Sequence, residues 1–524
     1  MEKIRFIVNS LDHFAAGRMR RMEPRLAYER LLDEGRSKRE ALYESLKAQI
    51  LDGGSASGER LPSTRRMAEL YGLSRGTVSQ AYDMLRAEGY VDAEQGSGTY
   101  AAYEAGVLRQ GQEREQEPIG PQARSSGSDW FKRLEAASPP AALPDAADSL
   151  EAAAQRFASG RTDFRLFPAG EWKQALYAAV RQSLERPLED GGRELTPAGS
   201  PELREAIAAL LRRERGIHAD PASIVVTSGS KQALALLLQT LIGPGERFVM
   251  ENPGYGGIRE AALAAGAEVL GAKVDELGIV PDDWDASLAA VTPNRQFPTG
   301  AVLPASRRAE LLAWAERRGA LLLEDDYDGE FRYTGRPGEP LKAMDAQGRV
   351  VYLGSFSRIM YSGLRIGYAV APPWLVSRLV RAKSFYEPYS SGQLEQLALA
   401  RFLQEGRYAR HLGRIRRQYR RRLSALHAGL ASLSGQPFRW SPAHAGLHQY
   451  AAWTAGEERY ERLLRLAQER KIGWSDGRKY WIAQPGETKR PEPGALFGFA
   501  HLTEEEIGEG MKRLAEAWRS AKRE

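Results

Sequence analysis

The chain contains no cysteine among its 524 residues. This absence excludes disulfides, thiolate metal sites and a cysteine nucleophile, and it is typical of proteins in a reducing cytoplasm. The seven histidines are scattered without the spacing of a metal site, so we predict no bound metal. No apolar run approaches the roughly 20 residues that a membrane-spanning helix needs, and the first residues lack the apolar core of a signal peptide. We therefore expect a cytoplasmic protein with no membrane partner.

A large excess of charge of one sign is also missing. The 74 basic and 68 acidic residues leave a net charge of +6, which permits a nucleic-acid partner without demanding one. The length exceeds what one hydrophobic core usually supports, so at least two domains are expected.

Composition divides the chain. Residues 104–154 are rich in Gln, Glu, Pro, Ser and Gly and have few large apolar side chains, which predicts a flexible linker. We predict an N-terminal extension of unknown role over residues 1–39, a small DNA-binding module over 40–103, this linker, and a large module over 155–524.

The small module is predicted to be a winged helix-turn-helix. Leu42, Leu46 and Ile50 recur at helical spacing, and two short helices follow in "LPSTRRMAELYG" and "SRGTVSQAYDMLRAEGY". A tight turn at Gly72 joins those two helices, and "YVDAEQGSGTY" predicts two strands around a glycine-rich tip. A surface helical hairpin would give the same short pattern, so the shape alone leaves both interpretations open.

The polar residues of this module suit DNA. The second helix begins with Arg75, Thr77 and Ser79 on its polar face, where small donors and a guanidinium can read base edges in a major groove. Arg65 on the preceding helix and backbone amides near Gly96 suit phosphate contacts.

The large module alternates helices with short apolar strands: "SIVVTSG", "RFVMEN", "AEVLGAKV", "LAAVTP", "GALLLEDD", "VVYLGS" and "IGYAVAP". This alternation predicts a mostly parallel sheet covered by helices, with ligands bound at the carboxyl ends of the strands. The residues at those ends offer a helix start that can bind phosphate, an aromatic ring, an acid, a phenol and three more anion-binding side chains. They are Ser230, Lys231, Tyr255, Asp325, Tyr327, Ser355, Ser357 and Arg365. Together they describe a pocket for a planar heteroaromatic phosphate.

Two families resemble these modules. The stretch "ERLPSTRRMAELYGLSRGTVSQAYDMLRAEGYVDAEQGSGTY" resembles the winged helix-turn-helix of GntR-family bacterial regulators. The motifs "AVTPNRQFPTG", "LLLEDDYDGEF", "GSFSRIMYSGLRIGY" and "HAGLHQY" resemble fold-type I aminotransferases, which use pyridoxal phosphate, and in particular the aminotransferase-like half of the MocR subfamily of GntR regulators. The resemblance implies an α/β fold with a smaller C-terminal α/β subdomain. It also implies operator contacts by Arg65, Ser74, Arg75, Thr77, Ser79 and Gly96.

For the cofactor, the resemblance implies that Asp325 pairs with the pyridine nitrogen, Tyr327 binds the phenolic oxygen and Tyr255 stacks on the ring. The amides of Ser230 and Lys231, the hydroxyls of Ser355 and Ser357, and Arg365 would hold the phosphate. The Lys231 side chain would add charge there or serve only at the helix start, and we favour the second.

Arg358 stands where the family carries the lysine that forms an imine with pyridoxal phosphate. A guanidinium stays protonated and its lone pairs are delocalised, so it cannot form that bond. Ser355 and Ser357 before it and Arg365 after it keep the family order, which argues against a slipped alignment. We therefore predict no catalytic residue and no aminotransferase activity.

We expect a transcriptional regulator whose aminotransferase-like domain senses a small-molecule effector, dimerises, and binds pyridoxal phosphate without a covalent bond, if at all. The homodimer would bind paired half-sites in operator DNA. A regulator that senses another anion, with Arg358 and Arg365 as a paired clamp, is the second hypothesis, and a working aminotransferase is the third. Arg478 is the predicted arginine for an effector carboxylate.

One basic run remains outside these predictions. Residues 407–422 carry eight arginines and no acid, which is typical of the solvated face of a long helix. The alternative is a patch that contacts DNA phosphates, for which charge reversal of Arg416 and Arg417 is the test.

Overall fold

A computed structural model describes residues 28–51, 55–94, 97–102, 128–137, 156–185, 196–335, 338–440, 445–483 and 491–523. The chain divides into two compact units between residues 126 and 127. Among the described helices, none combines the length and the apolar character that crossing a bilayer requires.

The first unit is a winged helix-turn-helix, as predicted. It consists of helices α1 (Tyr28–Asp33), α2 (Lys38–Leu51), α3 (Thr64–Tyr71) and α4 (Arg75–Ala87), followed by strands β1 (Val91–Glu94) and β2 (Gly98–Ala101). The two strands pair antiparallel and form the wing. Gly72 ends α3 at a φ of 62°, and its N–H donates to the carbonyl of Ala68, which allows α4 to begin three residues later.

The core of the first unit follows the helical spacing of the sequence. Leu42, Leu46 and Ile50 of α2 are fully buried, and Val78 and Leu85 of α4 pack in the same cluster. Helix α3 has only two turns and buries Met67 and Ala68, whereas Leu70 is exposed. Part of the predicted extension also belongs to this unit, because Tyr28 of α1 is buried in an edge contact with Tyr71.

The described residues of the second unit form thirteen strands. They are β3 (Arg156–Phe157), β4 (Ile224–Thr227), β5 (Arg247–Asn252), β6 (Glu268–Asp275), β7 (Gly278–Ile279), β8 (Leu288–Val291), β9 (Leu321–Asp325), β10 (Val350–Ser355), β11 (Gly367–Val370), β12 (Phe438–Arg439), β13 (His448–Trp453), β14 (Gly473–Asp476) and β15 (Gly494–Gly498). All seven strands predicted for the sheet are among them.

Eight strands form the main sheet in the order β4-β11-β10-β9-β8-β5-β6-β7. The five strands from β10 to β6 pair parallel, whereas β11 runs antiparallel to both β10 and β4. The mostly parallel prediction is therefore confirmed. The short connection from β10 to β11 brings the chain back beside β10, which places the loop at residues 356–366 next to the end of β4.

The helices of the second unit cover this sheet and a smaller one. They are α5 (Asp129–Ala137), α6 (Ala169–Leu184), α7 (Pro201–Arg215), α8 (Ser230–Leu241), α9 (Gly256–Ala265), α10 (Ala305–Arg318), α11 (Leu341–Met344), α12 (Pro373–Tyr386), α13 (Gln393–Gln404), α14 (Arg407–Ala431), α15 (Glu457–Glu469) and α16 (Glu504–Arg523). The smaller sheet has the order β12-β13-β15-β14-β3, and it forms the predicted C-terminal α/β subdomain with α15 and α16.

Helix α5 corrects the linker prediction for residues 129–137. Composition made this stretch resemble its polar flanks, but the Ser128 hydroxyl caps the helix by accepting the N–H of Phe131. The helix packs on α9, where the Arg133 guanidinium donates to the carbonyl of Ala264 at 3.4 Å. This segment of the predicted linker is thus attached to the second unit.

Candidate functional site

The end of β4 and the start of α8 form an anion cradle. Gly229 precedes α8 at a φ of 98°, and no side chain caps the helix. The amides of Ser230 and Lys231, in the first turn, are therefore well placed to bind an anion. Arg365 lies at the same place, since its Nη2 donates to the carbonyl of Ser228 at 2.7 Å.

Two glycines permit this close approach. A Cβ at Gly229 would lie 2.9 Å from Nη2 of Arg365, and a Cβ at Gly367 would lie 2.7 Å from backbone atoms of Gly229. Side chains at either position would push Arg365 or the β11 backbone away from the helix start.

The loop after β10 adds two hydroxyls. The hydroxyl of Ser355 accepts the N–H of Ser357 at 3.3 Å. The Ser357 hydroxyl is buried and has no hydrogen-bond partner among the described residues. A buried hydroxyl without a partner is costly, so this atom suits a bound acceptor such as phosphate.

The Lys231 side chain turns away from the cradle. Its ammonium pairs with Glu260 on α9 at 3.1 Å. The backbone of Lys231 thus remains at the helix start, while its charge is used in a surface ion pair.

Two consecutive acids at the end of β9 have opposite environments. Asp326 is satisfied by the protein, because Nε of Arg215 lies 2.9 Å from one of its oxygens and the Tyr352 hydroxyl donates to it at 2.6 Å. Asp325 is equally buried, yet its Oδ1 has no hydrogen-bond partner among the described residues. Burial, with the neighbouring Asp326, raises the pKa of Asp325 to about 7, although the charge of Arg358 opposes this shift. Asp325 is the acid that is left for a ligand.

Tyr327 is oriented by residues that the sequence prediction did not single out. Its hydroxyl accepts a hydrogen bond from Arg295 at 3.0 Å, so its own proton remains available to a ligand. Burial raises the pKa of Tyr327 well above its usual value, which keeps the phenol protonated. The His448 ring stacks parallel to Tyr327, with 6.2 Å between the ring centroids, and burial and Arg295 hold its pKa well below the ordinary value.

Four ring-bearing side chains surround Phe297. Its ring makes edge contacts with Tyr255, Tyr327, His448 and Tyr480, at centroid distances of 4.9 to 5.7 Å. Tyr255 remains 37% exposed, so its ring has a free surface for a planar ligand. Arg295, Phe297 and His448 lie inside two of the motifs that carried the family resemblance, and that membership was the signal for them.

Arg358 contacts the chain far from its own loop. Its Nη1 donates to the carbonyl of Gly160, which follows β3 of the smaller sheet. Burial has the largest influence on the pKa values of Asp325, Tyr255 and His448, and the charge of Arg358 is a further influence on each. The guanidinium therefore lies within electrostatic reach of the pocket.

Arg478 does not fit its predicted role. Its guanidinium is held by Asp476 and Glu461, with nitrogen to oxygen distances of 2.6 Å to each, and Glu457 lies 3.8 Å away. Three carboxylates already neutralise this arginine, so an effector carboxylate would have to displace them.

The predicted DNA-binding residues fall into two groups on the first unit. Arg65, Arg75 and Ser79 are exposed, and Arg65 makes a surface ion pair with Glu69 at 3.4 Å. Ser74 caps α4 by accepting the N–H of Thr77, and their hydroxyls are 2.8 Å apart, so both are engaged at the helix start.

Two residues of the wing remain, the predicted Gly96 and Arg60, which the sequence prediction did not name. Gly96 lies outside the described residues. Arg60 folds over the wing, where a Cβ at Gly98 would lie 2.6 Å from its Nε. This exposed guanidinium is a further basic group of the wing.

Comparison with known proteins decides the family. Residues 38–101 match the family described as bacterial regulatory proteins, gntR family, and residues 167–509 match aminotransferase class I and II. The chain is 34% identical over 480 residues to the probable rhizopine catabolism regulatory protein MocR of Rhizobium meliloti, covering 91% of this chain and 93% of that protein. The chain is a MocR-type regulator of the GntR family.

Further relatives of this MocR-type regulator agree. It is 31% identical over 484 residues to the HTH-type pyridoxine biosynthesis transcriptional regulator PdxR of Corynebacterium glutamicum, covering 91% of this chain and 95% of that protein. A solved structure of LysN, an alpha-aminoadipate aminotransferase from Thermus thermophilus complexed with N-(5'-phosphopyridoxyl)-L-leucine, superposes with a TM-score of 0.64 at 25% identity, over 76% of this chain and 98% of that chain. This MocR-type chain is thus a transcriptional regulator with a GntR helix-turn-helix and an aminotransferase-like domain.

Proposed function

We propose that this regulator binds operator DNA through its first unit and holds pyridoxal phosphate in its second unit without a covalent bond, as part of effector sensing. The observation that carries the proposal is the buried Oδ1 of Asp325, unpartnered among the described residues, with an arginine at position 358. A buried carboxylate needs a cationic or N–H partner, and a protonated pyridine nitrogen supplies both.

The described residues fit this cofactor. Asp325 would pair with the pyridine nitrogen, and Tyr327 would donate its remaining hydroxyl proton to the phenolic oxygen. Tyr255 would cover the ring. The amides of Ser230 and Lys231 and the side chains of Ser355, Ser357 and Arg365 would hold the phosphate. When bound, the cofactor supplies an electron-poor ring that carries an aldehyde.

We propose that the domain has no aminotransferase activity. A catalytic residue at position 358 would need to bond covalently to the cofactor and then move a proton, and a guanidinium has no free lone pair for the first task. Arg358 instead donates a hydrogen bond to the Gly160 carbonyl.

The second hypothesis, a regulator that senses a different anion, has less support. Arg358 and Arg365 each donate one hydrogen bond to a different backbone carbonyl, of Gly160 and Ser228, so the two guanidinium groups are anchored to separate parts of the chain. An unpaired carboxylate at Asp325 would also repel an anion that lacks a cationic group.

We also propose a homodimer in the cytoplasm, where its operator DNA lies. Supporting this, Tyr177, Val180 and Leu184 form an exposed apolar face of α6, opposite the face that packs on α13. A second copy of the chain would cover this face, and an operator with paired half-sites requires such a dimer.

A titration with pyridoxal phosphate tests the proposal. The purified full chain is titrated, reduced with borohydride and analysed by intact mass. We expect saturable binding without a mass increase, and a change in operator affinity when the site is filled. A covalent adduct on the chain contradicts the non-covalent site, and turnover of an amino donor contradicts the inactive domain. Failure to bind contradicts the cofactor proposal and favours the other anion.

A further inference from the structure

Arg358 has donors that the protein does not use. A guanidinium carries five N–H donors, and in the part of the chain that the structure describes the hydrogen-bond partner of this one is the Gly160 carbonyl. The contrast with two other arginines of the unit is clear. Arg215 and Arg295 each meet a carboxylate at 2.9 Å, whereas no described acid lies within ion-pair distance of Arg358.

The Gly160 contact fixes where this charge stands. Gly160 has a φ of 84°, and a Cβ there would lie 3.1 Å from Nη1 of Arg358. The preceding Ser159 is tied to the smaller subdomain, since its hydroxyl lies 3.3 Å from that of Ser475 and 3.4 Å from that of Tyr480. Tyr480 in turn packs on Phe297 inside the pocket. The guanidinium is therefore held beside the pocket by a neutral group, with no described acid at ion-pair distance.

We propose that Arg358 makes the pocket selective among vitamin B6 phosphates, for forms with an oxygen at the carbon that bears the aldehyde and against the amine form. This inference rests on the proposed function and names its ligand class. An aldehyde, its hydrate or a hydroxyl offers oxygen lone pairs to the unused N–H groups. The amine form carries an ammonium at that carbon, which a permanent cation repels.

The selectivity predicts an order of affinity. A hydrogen bond to a charged donor is stronger than a neutral one, and the ammonium loses that bond and adds repulsion. Pyridoxal phosphate and pyridoxine phosphate should bind at least about tenfold more tightly than pyridoxamine phosphate. Pyridoxine phosphate has no aldehyde, so it reports the hydrogen bond separately from any covalent chemistry.

The test measures the three dissociation constants by isothermal titration calorimetry on the full chain. In Arg358→Gln we expect the preference for pyridoxine phosphate over pyridoxamine phosphate to fall to about twofold or less. Arg349→Gln is the matched control, because Arg349 stands at the other end of β10 and also donates to a glycine carbonyl, of Gly319 at 3.0 Å. That control should keep the wild-type order.

A second variant guards against loss of the Gly160 contact. Arg358→Lys keeps the positive charge, so it should still bind pyridoxine phosphate more tightly than pyridoxamine phosphate even if its melting temperature falls. Equal affinities in the wild type, or an unchanged ratio in Arg358→Gln, overturn the selectivity while leaving the cofactor proposal intact. Absence of binding by all three phosphates overturns both.

Discussion

At the scale of single residues, two neighbouring aspartates have different roles. Asp325 and Asp326 follow each other at the end of β9, and both are at least 95% buried. The protein gives Asp326 a guanidinium and a phenol, while among the described residues it leaves Oδ1 of Asp325 without a partner. The first arrangement stabilises the fold, and the second is stable only with a ligand or a proton.

The two acids should therefore respond differently to amide substitution. Asp326→Asn removes the nearer of the two carboxylates that pair with Arg215, the other being Glu330 at 3.4 Å, and we expect it to lower the free energy of unfolding by about 3 kcal/mol. At about pH 4, where the folded carboxyl keeps its proton, Asp325→Asn should change that free energy by less than about 1 kcal/mol, and at neutral pH it should weaken pyridoxal phosphate binding at least about tenfold. Urea unfolding and a cofactor titration of both variants check this. Equal destabilisation by the two substitutions would contradict it.

The pKa of Asp325 also predicts a pH effect. Burial raises it to about 7 from an ordinary value of 3.8, so the folded chain keeps a proton there that the unfolded chain has lost. The stability contribution of this group is full below about pH 4 and is lost as the pH rises through about 7. In Asp325→Asn, the free energy of unfolding of the cofactor-free protein should fall less steeply between pH 4 and 7.

The pH profile of the unfolding free energy must be compared between the wild type and Asp325→Asn. Burial also raises the pKa of Glu251 and Glu324 to about 7, and both groups remain in the variant. Only the difference between the two pH profiles reports on Asp325. Parallel profiles from denaturant titrations at each pH would show that this carboxyl is not the source.

At the scale of elements, helix α14 concentrates the positive charge of the molecule. It carries eight arginines and no acid, and since the whole chain has a net charge of +6, the remaining residues carry a net −2. Arg416 leaves this surface, because its Nε donates to the carbonyl of Glu330 at 2.6 Å. Arg414 pairs with Glu171 at 3.1 Å. The exposed arginines that remain are Arg410, Arg417, Arg420 and Arg421.

The alternative in which this exposed face contacts DNA phosphates predicts a salt-dependent effect on DNA binding. Charge reversal of Arg417 and Arg421 should lower the slope of log affinity against log salt by about two, because each lost phosphate contact releases about one counterion fewer. The double reversal of Arg459 and Arg465, exposed arginines of α15, changes the net charge equally and is the control. An identical slope for both double variants in a filter-binding series would identify α14 as an ordinary solvated helix.

At the scale of the whole molecule, the apolar face of α6 predicts self-association. Leu184 is 81% exposed and Tyr177 is 64% exposed, which is unfavourable for a helix that faces water. Leu184→Glu should raise the dissociation constant of the dimer at least about tenfold, which sedimentation of the full chain would detect as a shift from dimer to monomer. Leu277→Glu, at an isolated leucine that is 52% exposed, should not. A monomeric wild type would refute the proposal.

Much of this molecule could be predicted from its sequence. The helical spacing of Leu42, Leu46 and Ile50, the turn at Gly72 and the apolar strands of the large unit depend on local periodicity and backbone preference, which any reader of the sequence can use. The same holds for the chemistry of position 358, since an arginine cannot act as an amine wherever it lies. The family prediction rested on such local motifs and is confirmed.

What the sequence could not decide depends on contacts between residues far apart in the chain. Only the folded structure separates Asp325 from Asp326, because the partners of Asp326 come from α7 and β10. Only the fold brings Gly160 to Arg358, 198 residues later, and Glu457 and Glu461 of α15 to Arg478. Local pattern determines which elements form and which side chains carry chemistry, whereas the partner of each charge is set by where the elements pack.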